Sequence, residues 1–196
     1  MADFQAAFLR TMAYEGIYSH DPDDAGGETY KGIARYFNPS WHGWKMIDDL
    51  RRKSPADFPA ILESVESLQY DVREFYKSRY WDVFRLSEMW NGEGLVNDLF
   101  DCAVNLGVTR ACSFLQRGLN LLNRNGALYP DLVQDGKFGD KTFKALHALP
   151  DADVPVLARM LMVLRGSHYI EYMVKSPAQE KFARGWFNRI SKGVRD

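Results

Sequence analysis

Apolar residues return every three or four positions along most of this chain. They nowhere alternate at period two over any length between turn signals, so the pattern predicts an all-α protein. Phe4, Phe8, Leu9 and Met12 form the stripe of a first helix that ends near Tyr14, with Gly16 as its terminator. Residues 16–33 read as a polar loop with four glycines, holding at most a small β-hairpin near residues 18–33, and residues 38–54 read as irregular. Ser54-Pro55 supplies an N-cap and a proline at the first helical position. The stripe that follows, Phe58, Ile61, Leu62, Val65, Leu68, Val72, Phe75 and Tyr76, predicts the longest helix.

Asn91-Gly92-Glu93-Gly94 marks a hinge, dividing the chain into lobes of residues 1–90 and 91–196. Beyond it, Leu95 to Val104 form a helix closing at Gly107, and Thr109 caps the next, with Cys112, Leu115, Leu119 and Leu122. A polar loop runs from Asn123 to Phe138. Asp140 then opens a short helix, Asp151-Ala152-Asp153 opens a long one to about Met173, and Pro177 precedes a last one with Phe182, Trp186, Phe187 and Ile190.

At 196 residues the chain can bury roughly 70% of its unfolded surface, so neither disulfide nor metal is needed to fold it. A formal charge of −1 gives no overall field for collecting nucleic acid, and no nucleic-acid partner is expected. The ends differ: residues 1–50 carry four Lys/Arg against eight Asp/Glu, and residues 161–196 carry seven against three. This polarity is either a solvated basic face on the last helices or a means of orienting on an anionic polymer.

Cys102 and Cys112 have no metal spacing and read as buried free thiols. His20, His42, His147 and His168 show no ligand spacing either. Asp21, Asp23 and Gly26 match the first, third and sixth positions of a calcium loop, but Ala25 and Gly32 fail the fifth and last, so no metal is expected. Residues 153–164 are apolar but interrupted by Arg159 and followed by Arg165, so no membrane insertion is expected. An acid at Asp3, where a signal peptide carries bases, points to synthesis in the cytoplasm without a signal peptide.

The candidate chemistry lies at Tyr14-Glu15-Gly16-Ile17-Tyr18, where a helix runs into Ser19-His20-Asp21-Pro22-Asp23-Asp24-Ala25-Gly26-Gly27-Glu28-Thr29. Cleaving a glycosidic bond requires a carboxylic acid that stays protonated until the leaving oxygen takes its proton. Glu15 follows a helix C-terminus, whose negative pole disfavours the ionised form. Tyr14, Ile17 and Tyr18 offer desolvation, and the loop aspartates add like charge. Asp24, nine residues on, and Thr29 are the candidates for ordering a water or steadying positive charge, if a hairpin carries the chain back across the helix end. Gly26, Gly27 and Gly32 would let a sugar ring approach the backbone. In the alternative reading, Glu15 only pairs with Lys31 and the aspartates cap turns.

The ordered run Glu15-Gly16-x-Tyr18, then Asp21-Pro22-x-Asp24-x-Gly26-Gly27-x-Thr29-x-x-Gly32-Ile33, resembles the signature of glycoside hydrolase family 108, lysozyme-like N-acetylmuramidases, some of which were first named secretion activators. It is similar, more distantly, to phage-type lysozymes, where the interval from Asp to Thr is one residue longer. The second half, with Asp101-x-x-x-Asn105-x-Gly107, Ala111, Leu115-Gln116, Leu119-Asn120, Asp135-Gly136-x-Phe138-Gly139-x-x-Thr142 and Gly185-Trp186-x-x-Arg189, resembles the peptidoglycan-binding-type domain that follows in that family. Two departures stand out. Ile17 replaces the second glycine of Glu-Gly-Gly, and Ala34 stands where a Ser or Thr often follows Gly-Ile.

The resemblance implies a lysozyme-like fold of two lobes flanking a cleft, with the muramidase region in residues 1–90 and residues 91–196 completing it. It implies a hydrolase of the β-1,4 bond between N-acetylmuramic acid and N-acetylglucosamine, needing no cofactor, acting as a monomer on peptidoglycan glycan strands. Glu15 would be the acid, with Asp24 or Thr29 as its partner, and Tyr18, Gly26 and Gly27 would contact substrate. Asp101 and Asn105, four apart, either face the cleft as substrate contacts or belong to a buried hydrogen-bond network joining the lobes. Trp41, Trp44, Trp81 and Trp90 are better read as core than as sugar platforms, and the Asp135–Gly139 loop as a tight turn or a glycan contact. Action at the cell wall would follow release through a holin or a dedicated route. The rival reading is a catalytically impaired wall-binding or secretion-assisting protein on the same fold.

Overall fold

Asp3 accepts hydrogen bonds from the backbone N–H groups of Gln5 (2.8 Å) and Ala6 (3.4 Å), satisfying two donors that a helix start leaves open, and α1 (Phe4–Met12) follows directly. The computed structural model describes residues 2–20, 27–89 and 92–191. Within these, helix dominates beside one small antiparallel sheet, the mostly helical architecture expected from the periodicity. The chain divides into two units: Phe8–Arg79, and Met1–Ala7 together with Tyr80–Asp196.

In the first unit, β1 (Tyr18–Ser19), β2 (Thr29–Tyr30) and β3 (Ile33–Ala34) pair in sequence order, with Tyr18 opposite Tyr30 and Tyr30 opposite Ile33. The expected hairpin thus gains a third strand. Lys31 and Gly32 join β2 to β3 with φ of 45° and 79°, the two-residue connection whose positive φ values suit the twist of a hairpin.

Two helix assignments differ from the sequence pattern. Residues 38–54 contain α2 (Gly43–Lys53), which buries Trp44 and Ile47 three positions apart. The helix expected from Pro55 does not start there: a 3₁₀ segment occupies Ala60–Ser64, Val65 is extended, and α3 spans Glu66–Tyr76. Pro59 is the reason. It has no N–H to continue a helix and disfavours the helical conformation at Phe58. Tyr30, Ile33, Ile47, Leu62, Leu68 and Val72 form the core of this unit. An aromatic chain runs beside them, from Tyr30 through Trp41 to Phe75, Tyr76 and Phe8.

In the second unit, α4 (Glu93–Leu106) buries Leu95, Val96, Leu99, Phe100 and Ala103 on one face. Gly107, at φ 85°, ends it and starts α5 (Val108–Leu122), a conformation that costs a residue with a Cβ. Thr109 lies inside the first turn of α5 instead of capping it. α6 (Asp140–Ala148) follows the polar loop, then α7 (Val154–Lys175), the longest helix described, and α8 (Ala183–Ser191). Helices α4, α5 and α7 pack on one another through Leu99, Ala103, Leu115, Leu119, Leu157 and Leu161. Cys102 and Cys112 are buried free thiols, and burial pushes them up to about 11 and about 12. No described helix is long and apolar enough to cross a membrane.

Candidate active site

Glu15 sits one turn past α1, its backbone N–H donating to Met12 O (3.1 Å). Its carboxyl is half-buried and lies against the turn between β2 and β3. A Cβ built on Gly32 would come within 2.8 Å of Glu15 Oε2 and 2.6 Å of the Tyr76 hydroxyl. Gly32 is therefore required twice, by its φ of 79° and by the groups pressed against it. The Tyr76 hydroxyl donates to Lys31 O (2.6 Å), fastening the turn to the end of α3. Lys31 does not pair with Glu15: its ammonium meets Gln69 Oε1 at 2.7 Å and Glu63 at 3.1 Å.

Thr29 stands in the middle strand, half-buried between Ser19 and Ala34, and its hydroxyl donates to Gly27 O at 3.4 Å. Gly27, at φ 63°, bends the chain into that strand. Asp24 and Gly26, with Asp21 and Asp23, lie outside the described residues. Ile17 is 55% exposed, so it does not supply the apolar cover expected beside the acid.

A buried carboxylate that the sequence pattern did not single out organises this hairpin. Strand alternation turns Glu28 and Tyr30 to the same buried face, and Glu28 is only 6% exposed. Its carboxylate accepts from Arg35 Nη1 (2.6 Å), from the Tyr18 hydroxyl (2.9 Å) and from Arg51. Burial alone would raise the Glu28 pKa, but hydrogen bonds from Arg35 and Tyr18 and the nearby guanidinium charges outweigh it and hold it below its usual value. Burial, and then the bond to Glu28, pushes Tyr18 up to about 12. The Tyr18 hydroxyl also accepts from Arg51 (2.9 Å), so it belongs to this network. Arg35 reaches on to Asp48 of α2 at 2.9 and 2.5 Å, tying the sheet to that helix. The only signal in the chain was an acid two positions before a buried tyrosine, with arginines elsewhere in the unit.

The tryptophans sort as core more than as platform. Trp44 and Trp81 are buried, Trp41 is half-buried and donates to Asp71 O (3.4 Å), and Trp90 lies outside the described residues. Tyr36 and Phe37, just past β3, form an exposed aromatic pair with rings 5.1 Å apart.

In the second unit Asp101 is held between two arginines, Arg165 Nη1 at 2.7 Å and Arg189 Nη2 at 2.8 Å. Burial by itself would raise the Asp101 pKa; Arg189 and Arg165 more than reverse this and lower it. Asn105, one turn on, accepts from the Tyr169 hydroxyl. Asp101 sits in a buried network whose described members all lie in this unit, instead of one joining the lobes, and Asn105 both belongs to it and lines an open pocket. Gln116 pins the Asp135–Gly139 loop by donating to Asp135 Oδ1 (2.9 Å) and Lys137 O (3.1 Å) and accepting from Gly136 N (3.0 Å). Asn120 does the same for Leu132. The loop is a fastened corner. Among the described residues no cluster of His, Cys, Asp and Glu could hold a metal ion.

A helical fold carrying a carboxyl at a helix end beside a glycine-bearing hairpin is of the lysozyme-like class, and comparison with known proteins makes the class specific. A family model described as glycosyl hydrolase 108 matches residues 8–107, half of the chain, and this protein belongs to that family. A second model, a predicted peptidoglycan domain, matches residues 110–191, and the two together make the function peptidoglycan-related. The solved structure of Brucella abortus SagA shares the fold, with a TM-score of 0.64 and 23% identity over 97% of this chain and 90% of that one. Comparison with the curated proteins finds no match.

Proposed function

We propose that this protein is a lysozyme-type N-acetylmuramidase that cleaves the β-1,4 bond between N-acetylmuramic acid and N-acetylglucosamine in peptidoglycan. The observation that carries the reading is the Glu15 carboxyl, half-buried against Gly32 within the segment matched by the glycosyl hydrolase family. Glu15 gives its proton to the leaving oxygen as the C1–O bond breaks, and a water oxygen bonds to C1 while its proton passes to Asp24 if the displacement is direct, or back to the Glu15 carboxylate if the sugar is first held as an intermediate. Asp24 or Thr29 orders the water or steadies the oxocarbenium charge, and of the two only Asp24 can take up a proton. Gly26 and Gly27 let the sugar approach the loop. Tyr18 acts indirectly, through Glu28 and Arg51, by holding β1 against β2. The exposed rings of Tyr36 and Phe37 offer apolar faces to the glycan. The protein works at the cell wall on glycan strands, as a monomer.

The test is muropeptide release from purified cell walls by the wild type and by Glu15→Gln, which keeps the shape and removes the acid. Release should fall about 10²–10⁴-fold in the variant, the usual contribution of a positioned general acid. Equal release by both would remove Glu15 from the mechanism. Binding of walls without release by the wild type would favour the wall-binding reading instead.

A further inference from the structure

The second unit contains a pocket of about 390 Å³ lined by Asn105, Leu106, Arg110, His168, Tyr172 and Trp186, with Tyr169 at its floor, far larger than one water and within the range of small-ligand sites. The hydrogen bonds behind it fix what it offers. Arg165, anchored on Asp101, can only donate, so the Tyr169 oxygen accepts from Arg165 Nε (2.9 Å) and its proton must go to Asn105 Oδ1. The oxygen of the Asn105 amide is thereby committed inward, and its Nδ2 group, two donors, is left for the pocket. At the rim Arg110 donates to His168 Nε2 (3.0 Å), which makes that nitrogen an acceptor and puts the His168 proton on Nδ1. Burial and the Arg110 charge lower the His168 pKa, in keeping with a neutral ring there. Among the described residues Arg110 makes no ion pair, and its guanidinium is held at the pocket by the neutral His168 ring.

Among the lining side chains the polar groups left over are donors, with the Tyr172 hydroxyl alone able to accept. Aromatic surface closes the rest: Trp186 stacks on Tyr169 at 4.9 Å and lies 6.0 Å from Tyr172, and His168 stacks on Tyr172 at 6.4 Å. A neutral sugar can accept from these donors through its hydroxyl oxygens but brings no negative charge to Arg110. A peptide carboxylate with its adjoining amide carbonyl is well matched.

We infer that this pocket binds the peptide stem of peptidoglycan by a free carboxylate, held by Arg110, with the amide carbonyl on Asn105 Nδ2 and the side chains against Trp186 and Tyr172. The inference rests on peptidoglycan as the substrate but not on the chemistry of Glu15. Recognition of the stem here gives the enzyme a hold on peptide-bearing strands separate from the cleavage site.

The test uses the full chain and three soluble probes: a synthetic stem tetrapeptide with a free C-terminal carboxylate, the same peptide as its C-terminal amide, and a peptide-free chito-oligosaccharide. Binding is read by calorimetry and by the NMR signal of the Trp186 indole N–H. The acid peptide should bind and move the Trp186 signal, the amide should bind about tenfold more weakly, and Arg110→Gln should abolish the difference. Asn105→Asp, which replaces a donor by a negative acceptor in nearly the same shape, should weaken the acid peptide further than the amide. If Asn105→Asp fails to fold, the amide comparison and Arg110→Gln decide alone. Equal affinity for acid and amide, no binding of either, or an unchanged Arg110→Gln variant overturns the inference, as does an Arg110-dependent response to the oligosaccharide. Because none of these probes needs to be cleaved, loss of stem binding with intact turnover defeats this inference alone, and intact stem binding with Glu15-independent turnover defeats the muramidase reading alone.

Discussion

Gly32 carries a double constraint that no neighbouring residue shares. Its φ of 79° puts an L side chain in a strained region, and its missing Cβ leaves room for the Glu15 carboxyl and the Tyr76 hydroxyl. Gly32→Ala should destabilise the protein by about 1–2 kcal/mol from backbone conformation alone. It should lower turnover by more than that loss explains, because the flexible Glu15 carboxyl gives way before the backbone does. Chemical denaturation and muropeptide release on the same preparation check this; full activity in a destabilised variant would show that the contact does not position the acid. Glu28→Gln leaves Arg35 and Arg51 without their buried anion. Because both arginines are about a third exposed and Arg35 keeps Asp48, it should cost about 1–3 kcal/mol, measurable by denaturant titration, while Glu28→Asp should recover part of it. At this scale Glu15 was legible because a helix stripe stops beside it, whereas Glu28 was not. A buried charge shows itself only through partners, and Arg35 and Arg51 lie seven and twenty-three residues away.

At the scale of elements, periodicity succeeded where nothing interrupted it: α4, α5, α7 and α8 fall close to their expected places. It failed around α2 and α3. Trp44 and Ile47 form a stripe too short to stand out between Trp41-His42-Gly43 and Ser54-Pro55, and the apolar run from Phe58 to Val65 imitates helical spacing across a proline that breaks it. Packing between elements is equally specific. A Cβ on Gly118 of α5 would lie 2.5 Å from Leu157 Cδ1 of α7. Alanine there can be accommodated by a rotamer change and gains helix propensity, but valine cannot. Gly118→Val should cost about 1–3 kcal/mol by overpacking, seen as a lower melting temperature.

For the whole molecule, stability should depend on pH through two carboxylates whose folded pKa values are depressed. Such groups contribute stability above their unfolded values, about 3.9 for Asp and 4.3 for Glu, and lose it as pH falls through the folded values. Asp101 and Glu28 should therefore make the protein unfold progressively below about pH 4. Asp101→Asn should lower stability by about 3–5 kcal/mol at neutral pH, since Arg165 and Arg189 remain buried together, and should flatten the acid limb of the curve. Tyr18 acts at the other end: its folded pKa is raised to about 12, so its contribution is present below about pH 10 and lost as pH rises through about 12. Melting temperatures across pH for wild type and Asp101→Asn test the first; an unchanged acid limb would mean that Asp101 is not anchored as described.

The sequence by itself determined the helical class, the break at Gly107, the place of Glu15 after a helix end and the family signature around it. Each of these depends on residues close together in the chain, where a period of 3.6 or a single glycine has only one local solution. Tertiary structure alone decided that Lys31 goes to Glu63 and not to Glu15, that Glu28 anchors the hairpin, and that Asp101 orients Asn105 through Arg165 and Tyr169. Those outcomes are choices among many oppositely charged partners of similar intrinsic strength. Only the fold settles them, by deciding which of those partners come within about 3 Å and out of water.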